Sequence, residues 1–316
     1  MDVLADLLNG VRANGALLNR TTLTPPWSLR IADESPLALV TVAQGHAWIV
    51  PDEGDPVRVD SSDVAIVCQP VPYTVADDPL TAPDIVILPD GRFETPDGRD
   101  ITDSVRTDLL NRNGIAVGKT ILICGTYQAR GDVNRRLLDA LPRVLAVRSE
   151  QAGKWLSERV GVEIIGDEPG RRVVLDRLLD VAMIMALRAW FSQPDSHAPG
   201  WYRAQNDPVV GRGLRSIHER PSHPWTVASL AATAGASRAW FARRFTELLG
   251  EPPMSYLANW RLSLAADLLH ETDSTIQAIA REVGYSNAFT FSTAFHRVKG
   301  IRPSQYRAEG NDSGRI

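Results

Sequence analysis

The sequence predicts a two-domain α+β protein: an N-terminal β-barrel with following helices, and a C-terminal all-α domain that holds two helix-turn-helix units. Short β-type runs broken by Gly, Pro and Asp in the first 130 residues predict the barrel. A helical unit that occurs twice in the last hundred residues predicts the second domain. At 316 residues the chain is long enough for both. We expect the barrel domain over 1–195, a linker over 196–207, the helical domain over 208–309 and a disordered tail over 310–316.

Four β-type runs support the barrel. They are rich in aliphatic and β-branched residues and are bounded by turn-forming ones, and short strands at this spacing are typical of a small barrel or jelly roll. The runs cover residues 37–50, 63–68, 84–88 and 120–127.

After the barrel the sequence predicts one long helix over 171–191. Its apolar side is wider than a single seam, which is typical of a helix packed against two partners. We therefore expect a homodimer in which this helix contacts both the barrel and a second subunit; packing within one subunit is the alternative. A Pro-containing stretch over 193–206 is predicted to link the domains. The apolar side consists of Val174, Leu175, Leu178, Leu179, Ala182, Met185, Ala186 and Trp190.

An internal repeat is the strongest pattern in the chain. Residues 230–237 match residues 279–286 at an offset of 49, and the copies then continue at an offset of 50. Matching phenylalanines, glycines and prolines in both copies favour two instances of one folded unit over a generic solvated helical bundle. They are Phe241, Phe245, Gly250, Pro253 and Tyr256 in the first copy, and Phe291, Phe295, Gly300, Pro303 and Tyr306 in the second.

Each copy is predicted to fold as a helix, a tight turn and a second helix. Thr226 and Thr275 are placed to cap the first helix of each copy. Gly235 and Gly284 suit turns that need a positive φ. Between the copies, a helix over 253–270 is predicted as a rigid connector that would let one chain reach two successive major grooves. The helices of the copies are predicted over 227–234, 237–249, 276–283 and 287–299.

The outward residues of the second helix in each copy are candidate DNA contacts, because the N-terminal part of that helix enters the major groove in this motif. Arg243 is the best candidate for reading a base, since arginine bonds guanine O6 and N7 together. Trp240 and Phe289 have two interpretations: contact with sugar or methyl groups, or a cap on the domain core. The candidates are Arg238, Ala239, Trp240, Ala242, Arg243, Asn287, Phe289, Thr290, Thr293 and Arg297, of which Ala239, Thr290 and Thr293 suit thymine methyl groups or base edges.

Short motifs between residues 225 and 307 form a set: Leu230-Ala231, Ser237-Arg238, Phe241 to Phe245, Gly250-Glu251-Pro252-Pro253, Trp260-Arg261, Ile279-Ala280, Gly284-Tyr285-Ser286, and Gly300 with Pro303, Tyr306 and Arg307. This set resembles the DNA-binding domain of the AraC/XylS family of bacterial regulators. The resemblance implies seven helices, two recognition helices and activation through RNA polymerase. Thr293 stands where the family commonly has Arg, so the second recognition helix is expected mainly to contact phosphates, which positions a protein without reading sequence.

Motifs in the first domain are Gly45-x-Ala47-Trp48, Ser62-Asp63-Val64, Pro72-Tyr73, Cys124-Gly125-x-Tyr127 and residues 137–142. They resemble the cupin domain that is fused to one subfamily of these regulators. Catalytic cupins supply two or three His and a carboxylate to one metal ion. Before residue 206 this chain has only His46 and His197, and Tyr73 stands where the subfamily often has His. We therefore expect no metal, no cofactor and no enzymatic activity; a cupin-type metalloenzyme fused to a DNA-binding domain is the alternative.

Two kinds of signal suit such a sensor. Cys68 and Cys124 each lie near the end of a β-run, so both thiols could face the barrel mouth and report oxidation. Cysteine acting as a small buried hydrophobe is the alternative, and a structural disulfide is not expected in a reducing cytoplasm. The other signal is a small organic molecule in the barrel, for which Tyr73 and His46 are the candidate contacts.

Charge and composition limit the classes of function. The net charge is −4, but residues from 206 onward carry 13 Lys and Arg against 10 Asp and Glu, while the rest carries 21 against 28. This asymmetry permits DNA binding. The N-terminus lacks the pattern of a secretory signal and no apolar run is long enough to span a membrane, so we expect a cytoplasmic protein without a membrane partner.

The sequence thus predicts a sequence-specific transcription regulator, an activator, whose partners are double-stranded DNA, RNA polymerase and a second copy of itself. Its signal is a small molecule or thiol oxidation sensed in the cupin-like domain. A module whose helix-turn-helix units bind protein is a further alternative. That module would lack the salt-dependent DNA affinity that phosphate neutralisation produces.

Overall fold

The chain folds into two compact units that interleave along the sequence. The sheet unit comprises Gly10–Ala129 and Leu141–Ser196, and the helical unit comprises Met1–Asn9, Arg130–Ala140 and His197–Ile316. Among the positions singled out above, residues 62, 197 and 314–316 lie outside the described residues. The computed structural model describes residues 2–13, 18–61, 63–68, 70–105, 120–129, 131–148, 169–193 and 198–313.

Twelve strands are present in the described part of the sheet unit. One sheet has the order β1-β11-β4-β7-β12, with β2 also paired to β11, and the other has the order β10-β9-β3-β8-β5-β6. The pairs are antiparallel except for β3 with β9. The strands are β1 Arg12–Ala13, β2 Leu18–Leu23, β3 Ser28–Ile31, β4 Leu37–Gln44, β5 His46–Pro51, β6 Val57–Asp60, β7 Asp63–Cys68, β8 Tyr73–Ala76, β9 Ile85–Ile87, β10 Phe93–Glu94, β11 Thr120–Gln128 and β12 Val144–Arg148.

The helices divide unequally between the units. α3 belongs to the sheet unit and the others to the helical unit. None of the helices in the described ranges is both long and apolar enough to cross a bilayer. They are α1 Val3–Leu7, α2 Asp132–Leu138, α3 Arg171–Phe191, α4 Gly200–Gln205, α5 Val210–Glu219, α6 Val227–Thr233, α7 Arg238–Leu249, α8 Pro253–Glu271, α9 Ile276–Glu282, α10 Ala288–Lys299 and α11 Pro303–Ser313.

The core of the sheet unit lies between the two sheets, where apolar residues of β3, β5 and β8 meet those of β4, β7 and β11. An isolated bridge between Val42 and Ser61 joins the sheets. Within the described residues the sheets are not closed into one barrel but pack as two layers, which is the jelly-roll form of the predicted architecture. The predicted run 37–50 divides at Gly45, whose φ of 82° turns the chain from one sheet into the other.

Strand β4 is buried on both of its faces, which explains why its sequence is continuously apolar instead of alternating. One face meets the opposite sheet, while α3 packs outside the sheet against β1, β7 and β12. Gly125 allows this approach, because a Cβ there would lie 2.8 Å from Leu179 Cδ1. The Tyr127 hydroxyl donates to the carbonyl of Leu179 at 2.7 Å. The long helix predicted over 171–191 is thus confirmed.

In the helical unit, α5 to α11 are the seven helices that the family resemblance implies. The repeated unit is confirmed as α6-turn-α7 and α9-turn-α10, joined by α8. The sequence did not predict α4, which lies inside the stretch read as a linker. Its first residue is in contact with α7, since a side chain at Gly200 would collide with the carbonyl of Leu248. α11 continues into the stretch predicted as a tail, as far as Ser313.

Candidate nucleic-acid interface

The first helix-turn-helix is fixed by local hydrogen bonds that its sequence predicts. Thr226 caps α6 by accepting from Ser229 N at 3.0 Å, and the Ser229 hydroxyl closes a capping box. Gly235 has a φ of 69° in the turn. Ser237 then caps α7 through Trp240 N.

Helix α7 has one buried and one exposed side. Phe241 and Phe245 are fully buried and pack on each other and on Tyr256 of α8. The opposite side meets solvent, as the period of the helix requires. Exposed there are Arg238, Ala239, Trp240, Arg243 and Glu247, while Ala242 is half-buried.

Arg243 projects from the middle of this exposed side. Its Nε lies 3.7 Å from Glu247 Oε1, one turn further along α7. An exposed pair of this kind contributes little to stability, so the guanidinium can leave it for a stronger partner. Arg244 differs, because it is held by Asp207 at 3.1 Å as well as by Glu247 at 3.4 Å. Arg243 is therefore the arginine of this pair that is available to a ligand.

The second helix-turn-helix repeats the first. Thr275 caps α9 by accepting from Ala278 N at 3.2 Å, Gly284 has a φ of 89° in the turn, and Phe291 and Phe295 are fully buried. On the exposed side of α10 lie Asn287, Phe289, Thr290, Thr293 and Arg297.

The polar groups at the start of α10 bond to one another. Asn287 Oδ1 caps the helix by accepting from Thr290 N at 2.8 Å and from the Thr290 hydroxyl at 3.0 Å. The Thr293 hydroxyl donates to the carbonyl of Phe289 at 3.0 Å. The Phe289 ring is 82% exposed, so it does not cap the domain core. That interpretation of Phe289 was wrong, because the core positions are filled by Phe291 and Phe295.

Connecting helix α8 fixes the two modules relative to each other. Arg261 donates from Nε to the carbonyl of Pro221 at 2.6 Å and from Nη2 to that of His223 at 2.8 Å. The turn of the second module rests on this same loop, because a Cβ on Gly284 would lie 2.7 Å from Ser222 Cα. The loop before the first module is thus tied both to the connector and to the second module.

Helix α2, which follows β11 in the chain, is anchored on α8 in the helical unit. Asp267 accepts from the backbone N of Asp132 at 2.6 Å and of Val133 at 3.3 Å. Lys299 of α10 forms an ion pair with Asp132. The Arg136 guanidinium lies 5.2 Å from the centre of the Tyr256 ring. Sequence reasoning missed this anchor, since its partners are more than a hundred positions apart.

Helix α1 is anchored beside α2. Asn134 donates to the carbonyls of Leu7 at 2.8 Å and Asn9 at 3.1 Å. The buried His218 ring of α5 lies 2.8 Å from Asp6 Oδ2 through Nδ1 and 2.8 Å from the Tyr256 hydroxyl through Nε2. Burial lowers the pKa of His218, although Asp6 opposes the shift. The imidazole is therefore neutral, with Nδ1–H donating to Asp6 and Nε2 accepting from Tyr256.

The sheet unit contains a cavity between its two sheets, which brings together Tyr73, Cys124, Asp33 and Thr126 among aliphatic side chains. The cavity leaves about 20 Å³ for the centre of a water molecule. That is room for about one such molecule. Tyr73 is only 7% exposed, and none of the described hydrogen bonds involves its hydroxyl. Asp33 and Thr126 were missed by sequence analysis, because neither lies in a recognisable motif.

The other candidates in the sheet unit lie away from this cavity. Cys68 pairs with Leu37 and Cys124 with Val40, two positions of β4 that point to opposite faces. The expectation that both thiols face one opening is therefore wrong. Burial raises the pKa of each thiol to about 12. His46 does not line the cavity, and no group of three metal-binding side chains occurs among the described residues.

Two family models match the chain: Cupin over residues 2–192 and Helix-turn-helix domain over residues 230–309. A protein of Streptomyces lividans named as an AraC-like transcription regulator is 28% identical over 312 residues, covering 97% of this chain and 98% of that protein. The RCS-specific HTH-type transcriptional activator RclR of Escherichia coli is 30% identical over 194 residues, covering 60% of this chain and 68% of that protein. Among solved structures, the DNA-binding domain of AdpA in complex with a target DNA is 31% identical, covering 33% of this chain and 93% of that chain with a TM-score of 0.32.

Proposed function

The chain belongs to the AraC-like transcription regulators that carry an N-terminal cupin domain, and on this basis we propose how it reads DNA and what switches it. It is a DNA-binding regulator; the proposal is that α7 and α10 enter successive major grooves and that Arg243 reads a guanine. The observation that carries this is the exposed Arg243 guanidinium on the side of α7 opposite the buried Phe241 and Phe245. An arginine in the first turns of such a helix has the reach and the paired donors that guanine O6 and N7 accept.

The remaining candidate residues divide by their chemistry. Arg238 and Arg297 are exposed cations at the edges of the two faces, where phosphates border the groove, and we assign them to phosphate contact. Ala239, Trp240 and Ala242 are assigned to the groove beside Arg243. Asn287 is engaged as a helix cap, so its contribution is to fix the start of α10. Its Nδ2 donates one proton to Ser286 Oγ at 3.2 Å, and the other amide proton remains for a phosphate.

Replacing Arg243 with alanine is expected to weaken binding to the specific site by about 1–3 kcal/mol and to relax the preference at one base pair. The matched control is Arg238→Ala, which removes the same charge and should weaken specific and random duplexes alike while lowering the salt slope by about 1. Competition binding against a library of single-base variants measures both. Equal losses on specific and random DNA for Arg243→Ala would refute its reading role.

We propose that the signal is a small, mostly apolar molecule that binds between the sheets, where the side chains around the one-water cavity must move apart to admit it, and that the signal is not thiol oxidation. The cavity wall is aliphatic, with the Tyr73 hydroxyl, Cys124 and the Asp33 carboxylate as its polar points. No lysine or arginine lines it in the described residues, so an uncharged or cationic ligand is favoured over an anion. Thiols whose pKa is about 12 hold almost no reactive thiolate at neutral pH.

Changing Tyr73 to phenylalanine should weaken binding of any ligand whose polar group meets the hydroxyl by about 0.5–1.5 kcal/mol. The measurement is the shift in melting temperature of the full chain against a panel of small alcohols, phenols and amines. A variant carrying both Cys68→Ser and Cys124→Ser should still respond to the ligand in melting temperature and in DNA binding, with shifts altered only by the change of Cys124 in the cavity wall. A response to oxidant that this double variant loses would instead favour the thiol signal.

A covalent path joins the cavity to the DNA-binding helices. Cys124 lies on β11, which ends at Gln128, and α2 begins four residues later. Helix α2 is anchored on α8 through Asp267 and Asp132, and α8 holds both modules. We propose that a ligand that repacks the cavity shifts β11 and biases α8 through α2.

The exposed side of α3 supports a homodimer. Val174, Leu178, Val181 and Met185 follow the alternating four- and three-residue spacing of a seam between two helices. Val174 is 43% and Val181 42% exposed. We propose that a second copy covers this seam, which sedimentation of the full chain can decide. That RclR is named an activator supports activation, with RNA polymerase as the partner and the cytoplasm as the location.

A further inference from the structure

The second recognition helix presents an apolar surface where the first presents a cation. Phe289 and Thr293 of α10 are equivalent, at the repeat offset of 50, to Ala239 and Arg243 of α7. The Phe289 ring is 82% exposed at the start of α10. The ring is therefore accessible to a ligand that meets the first turn of α10.

The hydroxyls beside Phe289 donate their protons within the start of α10. Thr293 donates its only proton to the carbonyl of Phe289, and Thr290 donates its proton to Asn287 Oδ1. A threonine whose hydroxyl donates back to the helix has no proton left to donate to a ligand, and its methyl group remains as an apolar contact. The first turns of α10 therefore offer a ring and methyl groups instead of hydrogen-bond donors. Such a surface suits the base edges on the floor of the major groove better than it suits phosphates, which were the partners expected from the residue at position 293.

We propose that Phe289 and Thr293 read the C5 methyl groups of thymines in the major groove. Thymine is the base that carries an apolar group there, and phenylalanine and threonine methyls are side chains that contact it. This rests on the proposed entry of α10 into the groove. The exposed Arg297 lies one turn beyond Thr293 and supplies a cation for the phosphates at the edge of the groove. One module thus selects guanine by hydrogen bonds and the other selects thymine by apolar contact.

The test uses the full chain and duplexes that it selects from a random library in vitro. Positions whose preference Arg243→Ala changes belong to α7, and the other half of the site is assigned to α10. Replacing dT by dU in that second half removes only the methyl groups. We expect wild-type affinity to fall about fourfold for each contacted methyl, and the same replacement in the α7 half to have less effect.

Variants of α10 separate the methyl contact from other roles. Phe289→Ala should lose affinity on the order of tenfold on dT duplexes and lose the dU effect at the thymines that its ring contacts. Thr293→Val should bind as wild type, since it keeps a methyl, whereas Thr293→Ser should lose about fourfold. Melting temperatures should be unchanged, because both side chains are exposed.

Three outcomes overturn the inference. Equal affinity for dT and dU duplexes, or an undiminished dU effect in a variant that carries both Phe289→Ala and Thr293→Ser, removes the methyl contact while leaving DNA recognition through α7 intact. Loss of self-association in Phe289→Ala without loss of DNA affinity would assign the ring to a second copy of the chain. Failure to select any sequence would overturn the proposed function together with the inference.

Discussion

Replacing Gly284 with alanine should destabilise the helical unit by roughly 2–5 kcal/mol, about 1–2 from the left-handed backbone and about 1–3 from overpacking. Gly284 has a φ of 89°, and an added Cβ would lie 2.7 Å from both the Cα and the carbonyl oxygen of Ser222. These are backbone atoms that cannot rotate away. The loop that carries Ser222 is held by Arg261 on either side, so yielding there would break two further hydrogen bonds.

The matched control is the equivalent turn of the first module. Gly235 has a φ of 69°, but the nearest atom to its added Cβ is Arg212 Nη2 at 3.5 Å, an ordinary contact. Gly235→Ala should therefore cost only the backbone term, about 1–2 kcal/mol. Urea unfolding of the full chain, followed by helical circular dichroism, measures both. Equal losses would show that the Ser222 loop gives way and does not brace the second module.

The two glycines also show what could be predicted from the sequence and what could not. Both were identified as turn glycines, because each stands between two short helical stretches of a unit that occurs twice in the chain. Their difference comes from Ser222, which lies some sixty residues before Gly284. No local pattern encodes that contact. The caps Thr226 and Thr275 and the buried phenylalanines were predictable for the same local reason.

In the sheet unit, too, local features could be predicted from the sequence and non-local contacts could not. Residues 63–68 read as a strand because their β-branched run is bounded by turn residues, and β7 has those limits. That β4 would lie between β7 and β11, and would place Cys68 and Cys124 on opposite faces, depends on non-local pairing. The cavity residue Asp33 and the α2 anchor Asp267 were missed because each acquires its role only from segments distant in the chain.

Replacing His218 with alanine should cost the helical unit about 3 kcal/mol, since each polar partner orphaned by the change loses roughly 1–3 kcal/mol. The His218 side chain is fully buried and stacks on Trp260 with ring centres 4.2 Å apart. Its removal leaves the Tyr256 hydroxyl without a partner in the core and detaches Asp6 of the α1 segment. The control Tyr256→Phe removes one hydroxyl alone and should cost about 1–2 kcal/mol.

The pH dependence of the free energy of unfolding provides a second test of His218. Burial lowers the pKa of His218, so on acidification below about pH 6.5 the unfolded chain takes up a proton before the folded chain does. The free energy of unfolding therefore falls on acidification by up to about 1.4 kcal/mol per pH unit.

Asp267 acts in the opposite direction. Burial raises its pKa to about 6, so the folded state binds the extra proton and gains stability as the pH falls from about 6 toward 4.

Below about pH 6 these two slopes oppose each other, so each group should offset part of the other's effect on the wild-type chain. Asp267→Asn removes the acid-stabilising slope, so its unfolding free energy should fall more steeply on acidification than that of the wild type. His218→Ala removes the other slope, and its stability deficit relative to wild type should shrink as the pH falls. Urea midpoints at half-unit steps of pH measure this. Parallel curves for all three proteins would show that neither group titrates differently in the folded state.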